Sequence, residues 1–126
     1  EEEYLQQDVK LLTDVIDALG MDFTVASLAA RGETMFDYTH IFPHVSSGFF
    51  LDRLMEKFQE KGYGDLCNRI WTNLATCGNI GSASIFVLLD EALSSGRLKA
   101  GDTALLFVPE SGQFNFALIG LRVVAA

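Results

Sequence analysis

The sequence predicts one layered α/β domain in which helices pack against a sheet. Three observations point to this class. Apolar residues recur at helical spacing in two separate segments, short strand-like runs lie between the helical segments, and the chain closes on two apolar strands separated by a turn. At 126 residues the chain is long enough to bury one core, and it contains no internal repeat or low-complexity tract.

The first predicted element is a helix over residues 4–19. Its apolar residues recur every three or four positions, which is the spacing of one helix face. Gly20 follows directly, and a glycine there is well placed to end the helix in a left-handed conformation. The next stretch, "MDFTVASLAARGETMFD", is too irregular to assign.

A strand and a second helix are predicted next. The run "YTHIFPH" is typical of a short strand, and Pro43 ends it because proline has no N–H to donate to a neighbouring strand. Ser46 or Ser47 can cap the helix that follows, and Gly62 closes it.

The second half is predicted to hold a strand, a buried helix and a hairpin. "NRIWTNL" predicts a short strand, and "DTALLFV" and "FNFALIGLRVV" predict a hairpin with its turn at "PESG". The helix over residues 82–95 has apolar residues in every direction around its axis: Ile85, Phe86, Val87, Leu88 and Leu89. Such a helix must be covered on all sides, and we therefore expect a further layer from outside this chain.

Composition and charge exclude several classes of function. The chain is 49% hydrophobic with a net charge of −8, so it is not disordered and has no basic stripe to hold nucleic acid or an anionic membrane. No apolar run approaches the roughly 20 residues of a membrane span, and no signal peptide is evident. The chain begins with Glu, and we expect it to be processed or cut from something larger. Cys67 and Cys77 lack metal-binding spacing and are expected to be reduced thiols in the core of a cytoplasmic protein.

Two polar residues stand at strand-to-helix junctions, where function often lies in α/β proteins. His44 follows the predicted strand, although a lone histidine at such a position is more often structural. His40 and His44 could in principle share a metal ion, but the sequence offers no third ligand nearby. Asn79 precedes the buried helix, where an ordinary helix cap is the simpler interpretation. Cys77 is a conceivable nucleophile, but a buried, inert thiol is commoner. Together, His44 and Asn79 could donate two hydrogen bonds to one developing oxyanion.

Four stretches carry a resemblance to a known family: "PHVSS", "CGNIGSASI", "LDEALSSGRLKAGDTALLF" and the closing hairpin strand. Over essentially its whole length the chain resembles the C-terminal half of β-ketoacyl-acyl-carrier-protein synthase III and related thiolase-fold condensing enzymes. The resemblance implies a layered α-β-α-β-α fold of two similar halves, with residues 1–126 forming the C-terminal one. The other wall of the buried helix, and the nucleophilic cysteine, would belong to the N-terminal half.

The resemblance also implies the roles of particular residues. His44 and Asn79 match the family's catalytic histidine and asparagine, which hydrogen-bond the carbonyl oxygen of a malonyl thioester as carbon dioxide leaves. Three positions depart from the family pattern. Ser47 replaces an asparagine that contacts the pantetheine arm, and Ile80 replaces a threonine. The segment "PESGQF" replaces a glycine-rich loop that donates a backbone N–H to the oxyanion, a role that Gly112 would take here. These departures resemble the branch of the family that serves specialised metabolism.

The function predicted from the sequence is therefore decarboxylative condensation of acyl thioesters carried on coenzyme A or acyl carrier protein. No metal or redox cofactor is implied, and the full-length protein is expected to be a cytoplasmic homodimer. Two alternatives stay open: acyl transfer to an alcohol or amine, with His44 as general base, and a non-catalytic partner subunit. By itself the fragment is expected to be inactive and to expose the apolar wall of the 82–95 helix.

Overall fold

A computed structural model of the chain describes residues 8–110 and 115–125. Its helices and strands, in chain order, are α1 (Val9–Ala29), β1 (His40–Pro43), α2 (Gly48–Glu60), α3 (Leu74–Cys77), α4 (Ser84–Ser94), β2 (Thr103–Glu110) and β3 (Asn115–Arg122). Short 3₁₀ segments lie at Met35–Asp37, Gly64–Arg69 and Gly81–Ala83. The predicted mixed α/β class is confirmed.

The three strands form one mixed sheet in the order β1-β2-β3. β1 runs parallel to β2, with His40 opposite Ala104 and Pro43 opposite Phe107, and β2 pairs with β3 in antiparallel register. Parallel strands need a long crossover, and the segment between β1 and β2 supplies it with α2, α3 and α4. The predicted hairpin is confirmed, although Pro109 and Glu110 of the predicted turn belong to β2.

Alternation along the strands divides the core between the two faces of the sheet. Ile41 and Leu105 belong to a cluster with residues of α1 and α2, whereas the next residues, Phe42 and Leu106, belong to a cluster with residues of α4. Successive side chains of a strand point to opposite faces, which explains this division. The chain is thus a three-layer α/β/α arrangement, with α1 and α2 on one side and α4 on the other.

The prediction that Gly20 ends the first helix is wrong. α1 continues through Gly20 to Ala29, and a left-handed glycine, Gly32, follows its end instead. A Cβ at residue 20 would lie 2.8 Å from Cζ of Phe107, so glycine is needed for close packing against β2 rather than for a turn. The second half of α1 lies in the stretch that could not be assigned from sequence, and it buries Met21, Thr24 and Leu28 at spacings of three and four.

The strand predicted at "NRIWTNL" is also wrong. Residues Gly64–Arg69 form a 3₁₀ segment, and only Ile70 makes a single parallel bridge, to Ile41 of β1. The Trp71 N–H donates to the Ile41 carbonyl at 3.1 Å, after which the chain turns into α3. Side chains that favour strands do not suffice here because the segment meets β1 over too short a length to build a ladder.

The other two predicted helices correspond closely to α2 and α4. Ser47 is the N-cap of α2, and Gly62, with φ of +85°, lies just beyond its end. α4 buries Ile85, Leu88 and Ala92 against the sheet, but Phe86 on its other side is 68% exposed. The described chain therefore covers only one side of α4. None of the helices in the described part of the chain has the length and hydropathy of a membrane-spanning segment.

Candidate functional site

His44 is held at the end of β1. Its backbone N–H donates to the Phe107 carbonyl at 2.8 Å, which continues the parallel pairing one residue past Pro43. The side chain is half-buried, and this burial lowers the pKa of His44 because the imidazolium ion loses hydration. Among the described residues neither ring nitrogen has a hydrogen-bond partner. A neutral ring here keeps one N–H available to donate.

Asn79 lies in a loop that is shaped by two glycines. Gly78 and Gly81 have φ of +66° and +69°, a region that other residues rarely adopt. The Oδ1 atom of Asn79 accepts the Gly81 N–H at 3.0 Å. Asn79 is therefore not the cap of α4, whose N-cap is Ala83. With Oδ1 engaged in this turn, the Nδ2 group is left to donate, and it has no partner within the described ranges.

His44 and Asn79 line the same cavity, although they come from different loops. The cavity has a volume of about 250 Å³ and extends between α1, α2 and the sheet. Most of its walls are apolar, formed by side chains such as Ile16, Met21, Met35, Ile41, Phe58 and Leu105. A mostly apolar cavity lined by two hydrogen-bond donors suits an apolar molecule with one carbonyl group.

Ser46, rather than Ser47, lines this cavity. The Oγ atom of Ser47 accepts the Phe50 N–H at 3.4 Å as the cap of α2. Ile80 is about half exposed, and Gly112 lies outside the described residues. A contact between residue 47 or 112 and a substrate thus stays a prediction. In the sequence, Ser46 is a candidate only for the helix cap, since nothing in the local sequence indicates which of two adjacent serines faces a cavity.

The other candidate ligands and nucleophiles, His40, Cys67 and Cys77, do not line this cavity. His40 is 3.0 Å from Asp102, measured from Nε2 to Oδ2. Cys67 is half-buried, but Cys77 is exposed, so the expectation of two core thiols is wrong for Cys77. Its Sγ atom accepts a hydrogen bond from Asn73 at 3.4 Å. Within residues 8–110 and 115–125, no group of three His, Cys, Asp or Glu side chains could hold a metal ion.

Comparison with known proteins gives a consistent family. The family model described as 3-oxoacyl-[acyl-carrier-protein] synthase III C terminal matches residues 28–118. The β-ketoacyl-[acyl-carrier-protein] synthase III of Rhizobium meliloti (strain 1021) is 30% identical over 120 residues, which cover 95% of this chain and 33% of that protein.

Solved structures of longer chains match over nearly all of this chain. The FabH synthase III of Thermus thermophilus gives a TM-score of 0.80 at 24% identity, over 99% of this chain and 37% of that one. Xanthomonas campestris OleA gives a TM-score of 0.77 at 25% identity, over 92% of this chain and 32% of that one. Pseudomonas aeruginosa PAO1 FabH gives a TM-score of 0.75 at 25% identity, over 97% of this chain and 36% of that one. The chain spans about a third of the length of these relatives.

Proposed function

This chain belongs to the family of 3-oxoacyl-[acyl-carrier-protein] synthase III C-terminal domains, within the thiolase-like condensing enzymes, and we propose that it is the C-terminal half of a decarboxylating condensing enzyme. The substrates would be acyl thioesters of coenzyme A or acyl carrier protein. The observation that carries the proposal is the cavity shared by His44 and Asn79, with apolar walls behind two hydrogen-bond donors.

The proposed reaction has two stages. A cysteine in the N-terminal half, as its thiolate, attacks an acyl thioester, displaces the carrier thiol and forms an acyl-enzyme. A malonyl thioester then loses carbon dioxide, and the electron pair of the broken C–C bond moves onto the thioester oxygen as an enolate. The enolate carbon attacks the acyl carbonyl carbon, a new C–C bond forms and the cysteine thiolate leaves.

His44 and Asn79 would act in the second stage by donating hydrogen bonds to the enolate oxygen. Burial supports this role for His44, because a lowered pKa keeps the ring neutral and spares it a charge that the apolar walls disfavour. The turn hydrogen bond to Gly81 supports it for Asn79, because it fixes the orientation of the amide. Fixed donors stabilise a developing charge without reorganising, and removal of one typically costs about 10²–10³ in rate.

A second candidate is acyl transfer to an alcohol or amine without condensation. The same neutral His44 favours it, since an imidazole without a hydrogen-bond partner in the described chain can also accept a proton as general base. Release of carbon dioxide separates the two candidates, because a plain transferase releases none.

The test uses the full-length protein with acyl-CoA and malonyl-CoA, with acyl-enzyme formation followed by intact mass and decarboxylation by carbon dioxide release. His44→Ala and Asn79→Ala are expected to form the acyl-enzyme but to lose about 10²–10³ of the carbon dioxide release. His40→Gln and Asn68→Ala serve as matched controls; His40 pairs with Asp102, and Asn68 is exposed.

Each contrary result has a defined meaning. Acyl transfer to an alcohol or amine without carbon dioxide release would favour the second candidate. Failure to form an acyl-enzyme with any acyl-CoA or acyl carrier protein thioester would instead indicate a non-catalytic partner subunit. Full decarboxylation by both alanine variants would remove His44 and Asn79 from the mechanism.

A further inference from the structure

Gly20 occupies an unfavourable position for a glycine. It lies in the interior of α1, where only proline is less favourable, and its φ is not in the left-handed region that would require glycine. Glycine is needed here because there is no room for a side chain. A Cβ at residue 20 would lie 2.8 Å from Cζ of Phe107 and 3.4 Å from Cε1 of Phe116. The absence of a side chain allows the Phe107 ring to lie directly against the helix backbone.

The Phe107 ring also packs against an aromatic residue of β3. It stacks on Phe116 with ring centroids 6.0 Å apart and an interplanar angle of 13°. Phe116 in turn stacks on Phe23 of α1 at 5.7 Å. A larger residue 20 would push the Phe107 ring, and a shift toward β3 would disturb its stacking on Phe116. Displacement would move it into the cavity, which both Gly20 and Phe107 line.

The contact between Gly20 and Phe107 lies close to the candidate catalytic pair. Phe107 is opposite Pro43, the residue before His44, whereas Ile41 and Leu105 lie two residues earlier in their strands and are almost fully buried. Along the sheet wall of the cavity, Phe107 is therefore nearer to His44 in strand register than the more buried Ile41 and Leu105 are. The nearby Thr24 hydroxyl donates to the Gly20 carbonyl at 2.8 Å, so its proton is not available to a ligand.

We propose that Gly20 and Phe107 form a size-selecting neck, through which the alkyl chain of a thioester substrate passes from His44 and Asn79 into the deep part of the cavity. The inference rests on the proposed function and adds to it a selection for the length of the substrate's alkyl chain. An apolar cavity of 150 Å³ holds benzene, so by scaling, the whole cavity of about 250 Å³ has room for about ten carbon atoms, including those next to His44 and Asn79. The chain can be carried by the acyl donor or by an alkyl-substituted malonyl thioester.

The test compares chain lengths in the full-length protein. One series pairs acetyl-, hexanoyl- and decanoyl-CoA with malonyl-CoA, and a second pairs acetyl-CoA with malonyl- and hexylmalonyl-CoA. Gly20→Ala is expected to lower the preference for the long chain over the short one at least tenfold, since even one misfitting methylene costs about 10–200-fold. Phe107→Leu is expected to shift the preference toward longer chains, and Gly20→Ala/Phe107→Leu to recover the long-chain activity. The series that responds identifies the carrier of the chain.

Gly64→Ala is the matched control, because a Cβ there would meet only Gln59 atoms at 3.7 Å or more. Calorimetric binding of decanoyl-CoA against acetyl-CoA gives a readout that does not need turnover. If no thioester is turned over, the proposed function fails, while the ratio of the two affinities still tests the neck. Folded Gly20→Ala and Phe107→Leu proteins with unchanged chain-length and affinity ratios would overturn the inference.

Discussion

At the scale of residues, the burial of the His44 imidazole ring predicts that both stability and activity depend on pH. Burial lowers the pKa of His44 from its usual 6.5, so below pH 6.5 the folded chain binds fewer protons than the unfolded chain. Stability from this group is therefore fully present above pH 6.5 and is lost as pH falls through the folded pKa. Decarboxylation needs the neutral ring in the proposed mechanism, so its acid limb is expected below pH 6.5.

Carbon dioxide release by the full-length protein between pH 5 and 8 checks this expectation. Imidazole NMR titration with His40→Gln, which removes the second histidine signal of this chain, gives the His44 pKa directly. An acid limb or a titration midpoint at or above pH 6.5 would contradict the burial argument.

At the scale of elements, α2 combines a structural cap with a position predicted to contact substrate. Ser47 accepts the Phe50 N–H at a long 3.4 Å, so Ser47→Ala is expected to cost about 0.5–1 kcal/mol of stability, the lower half of the range for caps. Asn is an equally good cap, and Ser47→Asn is expected to leave stability unchanged while lowering KM for coenzyme A thioesters through a pantetheine contact.

Urea unfolding and steady-state kinetics of the full-length protein separate the two roles. Ser95→Ala provides a control, because Ser95 is an exposed serine at the end of α4. If Ser47→Asn keeps the stability but does not change KM, residue 47 acts only as the cap of α2.

At the scale of the whole molecule, the chain leaves one side of α4 uncovered. Phe86 is 68% exposed and Leu93, seven residues later on the same face, is 49% exposed. Exposed apolar patches favour association. The 126-residue chain expressed alone is therefore expected to self-associate and to bind a hydrophobic dye. Phe86→Ser/Leu93→Ser should reduce the dye signal several-fold.

Light scattering and dye fluorescence measure the two effects. Phe49→Ser on α2 is the matched control, since Phe49 is 58% exposed but lies on the other side of the sheet from α4. A dye-negative monomer of the unaltered chain would show that the uncovered face of α4 does not need a further layer.

Much of the fold follows from local sequence. β1 ends at Pro43, the closing hairpin forms, and Ser47 caps α2, because strand period, proline and capping act over a few residues. The same local cues correctly place His44 at the end of a strand, but Asn79 follows the short helix α3 and not the predicted strand. The error at Gly20 has an equally physical cause: a glycine that ends a helix and a glycine that admits a distant ring look identical in sequence.

Contacts between distant segments decided the rest. The sequence by itself determined the mixed α/β class, most of its elements and the two candidate catalytic residues. Only the tertiary structure brought His44 and Asn79 to one cavity, made Ser46 rather than Ser47 part of its wall and placed Phe107 against Gly20. Burial and close approach depend on which surfaces meet across the sheet, and no short window of sequence contains that information.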